Sequence, residues 1–258
     1  MKLGQIDRNN AVTVAWANPD WVEGIVKKFP EIAIELAKIL PEKSVEIAKG
    51  RPDCAVRLAE MNPDFAILIA KEVPSEAAAI ASSLPNIAVE IAVAVPEFAA
   101  EIAEAVPSEA VKIAKALSDY VHKIVYQVAP GYVMPIVDAL PEKSVVIAKA
   151  VPDFAVRIAK KHQGWASEIA KAVPSHAIEI AQEVPSKAIE IAKKVPNLAI
   201  EIAKAMYLKN PECIVGIAKA VPKAAVQIAK AVPQEAVMIA RILPEHEEAI
   251  RNIFILEE

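Results

Sequence analysis

Cysteine is almost missing from the 258 residues. Cys54 and Cys213 have no CxxC or other metal-like spacing, so neither a disulfide framework nor a cysteine-based metal centre is expected. Aromatic residues are only 5% of the chain while hydrophobic residues are 55%, so the core must come from close approach of small side chains rather than from rings. No run reaches the ~18 uncharged apolar residues that a membrane-spanning helix needs. Met1–Asp7 lacks the apolar stretch of a signal peptide. A formal charge of −4 argues against nucleic acid or an anionic membrane as the dominant partner. No Gly-rich phosphate loop, Ser–His–Asp pattern or pair of catalytic acids stands out. These absences predict a soluble, cytoplasmic protein that is not an enzyme and carries no cofactor and no metal.

What the chain has instead is proline at a fixed interval. Pro19, Pro30, Pro41, Pro52, Pro63, Pro74, Pro85, Pro96 and Pro107 each follow the last by eleven residues. The spacing resumes at Pro130, Pro141 and Pro152, again from Pro174 to Pro196, and from Pro211 to Pro244. Ser118 and Gln163 occupy proline slots, and Arg8 opens a first unit without one, which gives 22 units. With proline as position one, position seven is always Ile, Leu or Val, and positions four and eight are mostly Ala. Positions four, five, seven, eight and eleven fill one arc of a helical wheel, so each unit reads as an amphipathic helix.

An eleven-residue period also suits one continuous supercoiled helix. The prolines exclude it, because each costs ~3 kcal/mol inside a helix yet is favoured at the first helical turn. Acidic residues at position two (Asp20, Glu31, Glu42) and Lys at position nine (Lys38, Lys49, Lys71) match the dipoles of separate short helices. A helix of eight or nine residues is unstable alone and must be covered by neighbours. The expected fold is therefore an all-α solenoid, residues 1–258 as a single domain, of about 22 short helices. Position three alternates two large apolar residues with one polar residue (Trp21, Ile32, Lys43; Cys54, Phe65, Glu76), which predicts three helices, or 33 residues, per turn. The alternative is a double layer with two helices per turn. Where Val fills both alanine slots, as at Val22 and Val26 or Val133 and Val137, wider helix spacing is expected.

Asn18-Pro19-Asp20-Trp21, Asn62-Pro63-Asp64-Phe65 and Asn210-Pro211-Glu212 resemble motifs of leucine-rich repeat variant and HEAT-like repeat proteins. In those proteins Asn-Pro steps separate very short helices. The resemblance implies a helical solenoid and nothing about activity, since that family's unit is about twice as long and its iron–sulfur cysteine cluster has no counterpart here. Proline-punctuated eleven-residue units are also similar to those of apolipoprotein-type lipid-surface proteins.

The repeat breaks at 118–140, 162–167 and 206–210. The first break gathers Tyr120, His122, Tyr126 and Tyr132, and the second holds His162 and Trp165. These six are the candidate binding residues, because Tyr, Trp and His are favoured at interaction hot spots; the competing reading is that the breaks are bends without a partner. The position-nine lysines run beside Glu at position six and read as a mixed, solvated face. The expected function is a non-enzymatic scaffold that presents an extended helical-repeat surface to a protein or peptide, with no nucleic-acid partner. A lipid-surface-binding repeat protein is the alternative. Against it, a lipid face has no reason to demand Ala at two fixed slots.

Overall fold

The computed structural model describes residues 6–124 and 130–255, with side chains described except at 120–124, 130–131 and 254–255. Every described element is helical, and each regular unit has one plan. Proline opens a three-residue 3-10 turn, an α-helix of seven residues follows, and one extended residue links it to the next proline. Pro74–Glu76, Ala77–Ser83 and Leu84 show the pattern.

Where proline ends a helix, part of the backbone hydrogen bonding carries over into the next unit. The residue before it is pushed out of the α region, as at Val73 (φ −130°, ψ 67°) and Val184 (φ −128°, ψ 68°). That residue still closes the helix behind it, the Val73 N–H donating to the Ile69 carbonyl at 2.8 Å. Its own carbonyl accepts from two residues beyond the proline, Glu76 N–H at 3.0 Å, and Ala77 N–H donates to the Pro74 carbonyl. The chain thus turns sharply while its hydrogen bonding stays nearly continuous.

Contacts group the residues into two units, Met1–Leu140 and Pro141–Glu258, each described by itself. The N-terminal unit holds α1 (Arg8–Ala17), α2 (Val22–Lys28), α3 (Ala33–Ile39), α4 (Ser44–Gly50), α5 (Ala55–Met61), α6 (Ala66–Glu72), α7 (Ala77–Ser83), α8 (Ala88–Ala94), α9 (Ala99–Ala105), α10 (Ala110–Ile124) and α11 (Pro130–Ala139). The C-terminal unit holds α12 (Ser144–Ala150), α13 (Ala155–Lys161), α14 (Ala166–Ala172), α15 (Ala177–Glu183), α16 (Ala188–Lys194), α17 (Ala199–Met206), α18 (Glu212–Ala220), α19 (Ala225–Ala231), α20 (Ala236–Ile242) and α21 (Glu247–Ile255).

In both units helices stack on the one two places further along, as α2 on α4 and α13 on α15, and not three. Even helices pile as α2–α4–α6–α8–α10 and α12–α14–α16–α18–α20, and α13–α15–α17–α19–α21 form the odd stack of the C-terminal unit. Side-chain bonds between layers give the register. Lys160 Nζ meets Glu183 Oε2 at 2.7 Å, and Ser167 Oγ donates to Glu190 Oε1 at 2.8 Å, each pair 23 residues apart. Two units, 22 residues, therefore bring the chain back to the same place one layer higher, and each of these bonds joins a position to the next position of that layer. The expectation of three helices per turn is corrected to two.

The position-three pattern misled because that position lies in the 3-10 turn, mostly half-buried at the edge, as Trp21, Lys43, Phe65 and Glu76 show. The residues that do stack are nearly identical in every unit and carry no longer period. Ala66, Ile69 and Ala70 are each fully buried, as are Ala177, Ile180 and Ala181. Val or Leu at position eleven closes the core between the two stacks, with Val184 1% exposed.

Two further expectations change. The described residues hold 21 helices, because the units at 107 and 118 merge into the 15-residue helix α10; Ser118 cannot stop a helix as proline does. The N-terminal part of the 118–140 break is therefore helix rather than interruption. At Val26 the layers do not spread. The next layer places Gly50 against it, so close that a Cβ there would collide with Val26 Cγ2 and lie 3.0 Å from the Glu23 carbonyl oxygen.

Candidate functional site

The six sequence-predicted residues divide between the two units. Tyr120 and His122 lie on α10 with side chains outside the described residues, and Tyr126 falls outside them altogether. Tyr132 is half-buried on α11. In the C-terminal unit, His162 and Trp165 share the turn between α13 and α14, the Trp165 N–H donating to the His162 carbonyl at 2.9 Å. His162 is half-buried and Trp165 is 38% exposed. Gly164 between them has open space where a Cβ would stand, so this glycine serves no close packing.

The other reactive side chains are accounted for by local structure. Cys213 is 6% exposed and Cys54 partly so, and burial pushes both thiols up, away from the reactive thiolate. Ser44 and Ser144 stand where alanine is usual and are fully buried. Each donates to the carbonyl of the proline three residues before, at 2.7 Å and 2.6 Å, and Ser44 also accepts from Asn62 Nδ2 at 2.9 Å. Among the described residues no group of three His, Cys, Asp or Glu is placed to hold a metal ion, and no helix is long and apolar enough to cross a membrane.

Two helices per layer sort the lysines in a way that the sequence order conceals. Position nine of every even helix in the C-terminal unit is basic: Lys149, Lys171, Lys193, Lys219 and Arg241. Each is the second-last residue of its helix, and since α12, α14, α16, α18 and α20 stack directly, the five form one row with one cation per layer. All five are exposed, and none has an ion-pair partner among the described residues. The four-residue insertion Tyr207–Asn210 does not break the row, because it lies between α17 and α18 at the opposite end of the helices.

The acids expected to neutralise the row are engaged elsewhere. Glu168 Oε1 takes Lys194 Nζ at 2.6 Å. Glu190 accepts from Ser167 and from Lys187 Nζ at 3.0 Å, and these two bonds, Ser167 first, hold its carboxyl below the usual carboxylate range. In the odd stack position nine is not uniformly basic: Lys160 is tied to Glu183, Gln182 and Asn252 are neutral, and only Lys204 and Lys230 repeat the pattern. The connections after the three middle layers add no acid, carrying Ser175, Asn197 and Lys223 at position two.

Beside the middle of the row lies an open groove of about 550 Å³. Its walls are apolar, from Ile200, Ala220, Val221 and Ala224, and its rim carries Lys193, Asn197, Lys223 and Gln227. Ala224 opens it: every other unit has a larger residue at position three, Leu198 and Lys187 among them. Lys193 belongs to both the row and the groove. Sequence reading placed lysine at position nine but took all units together, so the even-only row stayed hidden.

Comparison with protein-family models, curated proteins and solved structures finds no match.

Proposed function

We propose that the protein is a non-enzymatic interaction scaffold whose C-terminal unit holds a segment of a protein partner along the outer face of its even stack. The observation that carries this reading is the row of five exposed, unpaired cations beside an apolar groove. Unpaired like charges at adjacent layers repel one another, and a partner bearing carboxylates relieves that repulsion. The helices' apolar faces support a scaffold over a lipid-surface protein. Their Ala and Ile residues are already consumed in stacking, with Ala188, Ile191 and Ala192 fully buried.

The test compares proteins recovered from cell extract by the unaltered chain and by two triple variants. Lys171→Glu/Lys193→Glu/Lys219→Glu reverses the middle of the row, and Lys160→Glu/Lys204→Glu/Lys230→Glu makes the same change on the odd stack. The scaffold reading expects a partner retained by the odd-stack variant and lost by the row variant. Equal recovery by all three would remove the row from the function.

A further inference from the structure

Resting on that docking reading, we infer that the partner segment is an acidic chain in the polyproline II conformation, with a carboxylate at every third residue and an apolar side chain seated in the groove near Lys193.

The inference comes from matching spacings. Stacked helices with small residues at the contact lie ~8–10 Å apart, so the cations recur at about that interval. A polyproline II chain has three residues per turn and rises about 9 Å per turn. Acids at every third residue then project from one side at the interval of the layers, and about thirteen residues span all five. An extended strand cannot do this, because residues three apart point to opposite faces. An α-helix places residues seven apart on one face at about 10.5 Å, and needs about 29 residues to cover the same row.

The groove distinguishes peptide from nucleic acid, the other extended polyanion. Single-stranded nucleic acid is held by stacking its bases on aromatic rings. The groove walls are aliphatic and the rim amide or amine, so they suit a leucine-sized side chain flanked by carboxylates. The full row is needed for register, while Lys193 and Lys223, which both line the groove, locate the apolar residue.

Fluorescence anisotropy with the full chain tests this. The probe is a labelled fifteen-residue peptide of five Glu-Pro-Pro triplets; its comparator has the same composition with the five glutamates contiguous. The periodic peptide is expected to bind at least tenfold more tightly, to lose at least tenfold on Lys171→Glu/Lys193→Glu/Lys219→Glu, and to change less than twofold on Lys160→Glu/Lys204→Glu/Lys230→Glu. The odd-stack variant carries the same loss of helix-end charge, so a general fold defect would weaken both alike. Replacing one central proline by leucine should strengthen binding, and Ala224→Leu, which fills the groove, should cancel that gain. Equal binding of the two peptides, tighter binding of a fifteen-nucleotide oligo(dT), or tighter binding of a helical peptide with glutamate at every seventh residue would each overturn the inference. If the peptides fail while the extract experiment still separates the two triple variants, the spacing argument falls and the docking surface stands; if neither separates them, both fall.

Discussion

At Gly50 the α4 backbone approaches α2 so closely that no Cβ fits against Val26 and the Glu23 carbonyl. Its φ is not positive, so the glycine is required by approach and not by backbone conformation. Gly50→Ala should destabilise by about 1–3 kcal/mol through overpacking, partly offset by the better helix propensity of alanine. Val26→Ala added to it should recover part of the loss, giving a coupling of at least ~0.5 kcal/mol in urea melts; strict additivity would show that the two do not press on each other. Ser167 offers a second residue-level test, because it is 2% exposed and its hydroxyl holds Glu190 across layers. A carboxylate whose folded pKa is lowered stabilises above the usual carboxylate range and loses that contribution as pH falls through its folded value. Ser167→Ala should therefore cost about 0.5–1 kcal/mol at neutral pH, discounted because Glu190 is largely solvated. The difference from the unaltered protein should shrink as pH falls through the lowered folded pKa of Glu190 and vanish below it, where the glutamate is protonated in both states. A cost independent of pH would assign the effect to lost packing instead.

Each helix is defined by how it stops, and two proline-free slots show how far proline alone decides that. Ser118 lets α10 run on to Ile124, whereas His162-Gln163 makes the usual turn without proline, with His162 at φ −108° and ψ 63°. The local geometry at 163 already accepts proline, and the Gln163 N–H makes no hydrogen bond among the described residues. Gln163→Pro should therefore raise stability by about 0.4–1 kcal/mol by restricting the unfolded chain. Ser118→Pro, in mid-helix, should cost about 3 kcal/mol or more. Thermal melts of the two variants check both signs, and a destabilised Gln163→Pro would mean that the turn is not the one seen at the other slots. The helix boundaries were legible because proline and the residue before it act locally, through sterics between sequence neighbours. The merger at Ser118 was not, since a missing stop signal does not say whether the helix goes on. In the structure α10 packs on α8, α9 and α11, and α14 at the other slot is held by α12 and α16.

Stacking order is a property of the whole array and was the least legible feature. The contacts that set it, alanine and isoleucine at positions four, seven and eight, are almost the same in every unit and fit a return after two helices or three equally well. The return after two units surfaces only in exposed pairs such as Lys49 with Glu72 and Lys160 with Glu183, whose partners are unknown until the stack is built. The binding row was hidden for the same reason: Lys149, Lys171, Lys193, Lys219 and Arg241 become neighbours only when alternate units share a stack. A structure in which each layer touches only adjacent layers has stability that depends on how many neighbours a helix possesses. Within the C-terminal unit, α16 is covered on both sides by α14 and α18, whereas α20 has α18 on one side. The difference shows in the side chains, since Val237 on α20 is 77% exposed while its counterpart Ser167 on α14 is buried. Amide hydrogen exchange should accordingly be slowest in α14 to α17 and become faster through α18 and α19 to α20 and α21, because openings of terminal layers break fewer interfaces. Capping α20 would flatten that gradient: a peptide bound only to the middle of the row should slow exchange in α14, α16 and α18 and leave α20 unchanged, whereas one that reaches Arg241 should protect α20 as well. Uniform exchange from α12 to α21 would mean that the layers open together, and the nearest-neighbour account of this fold would fail with it.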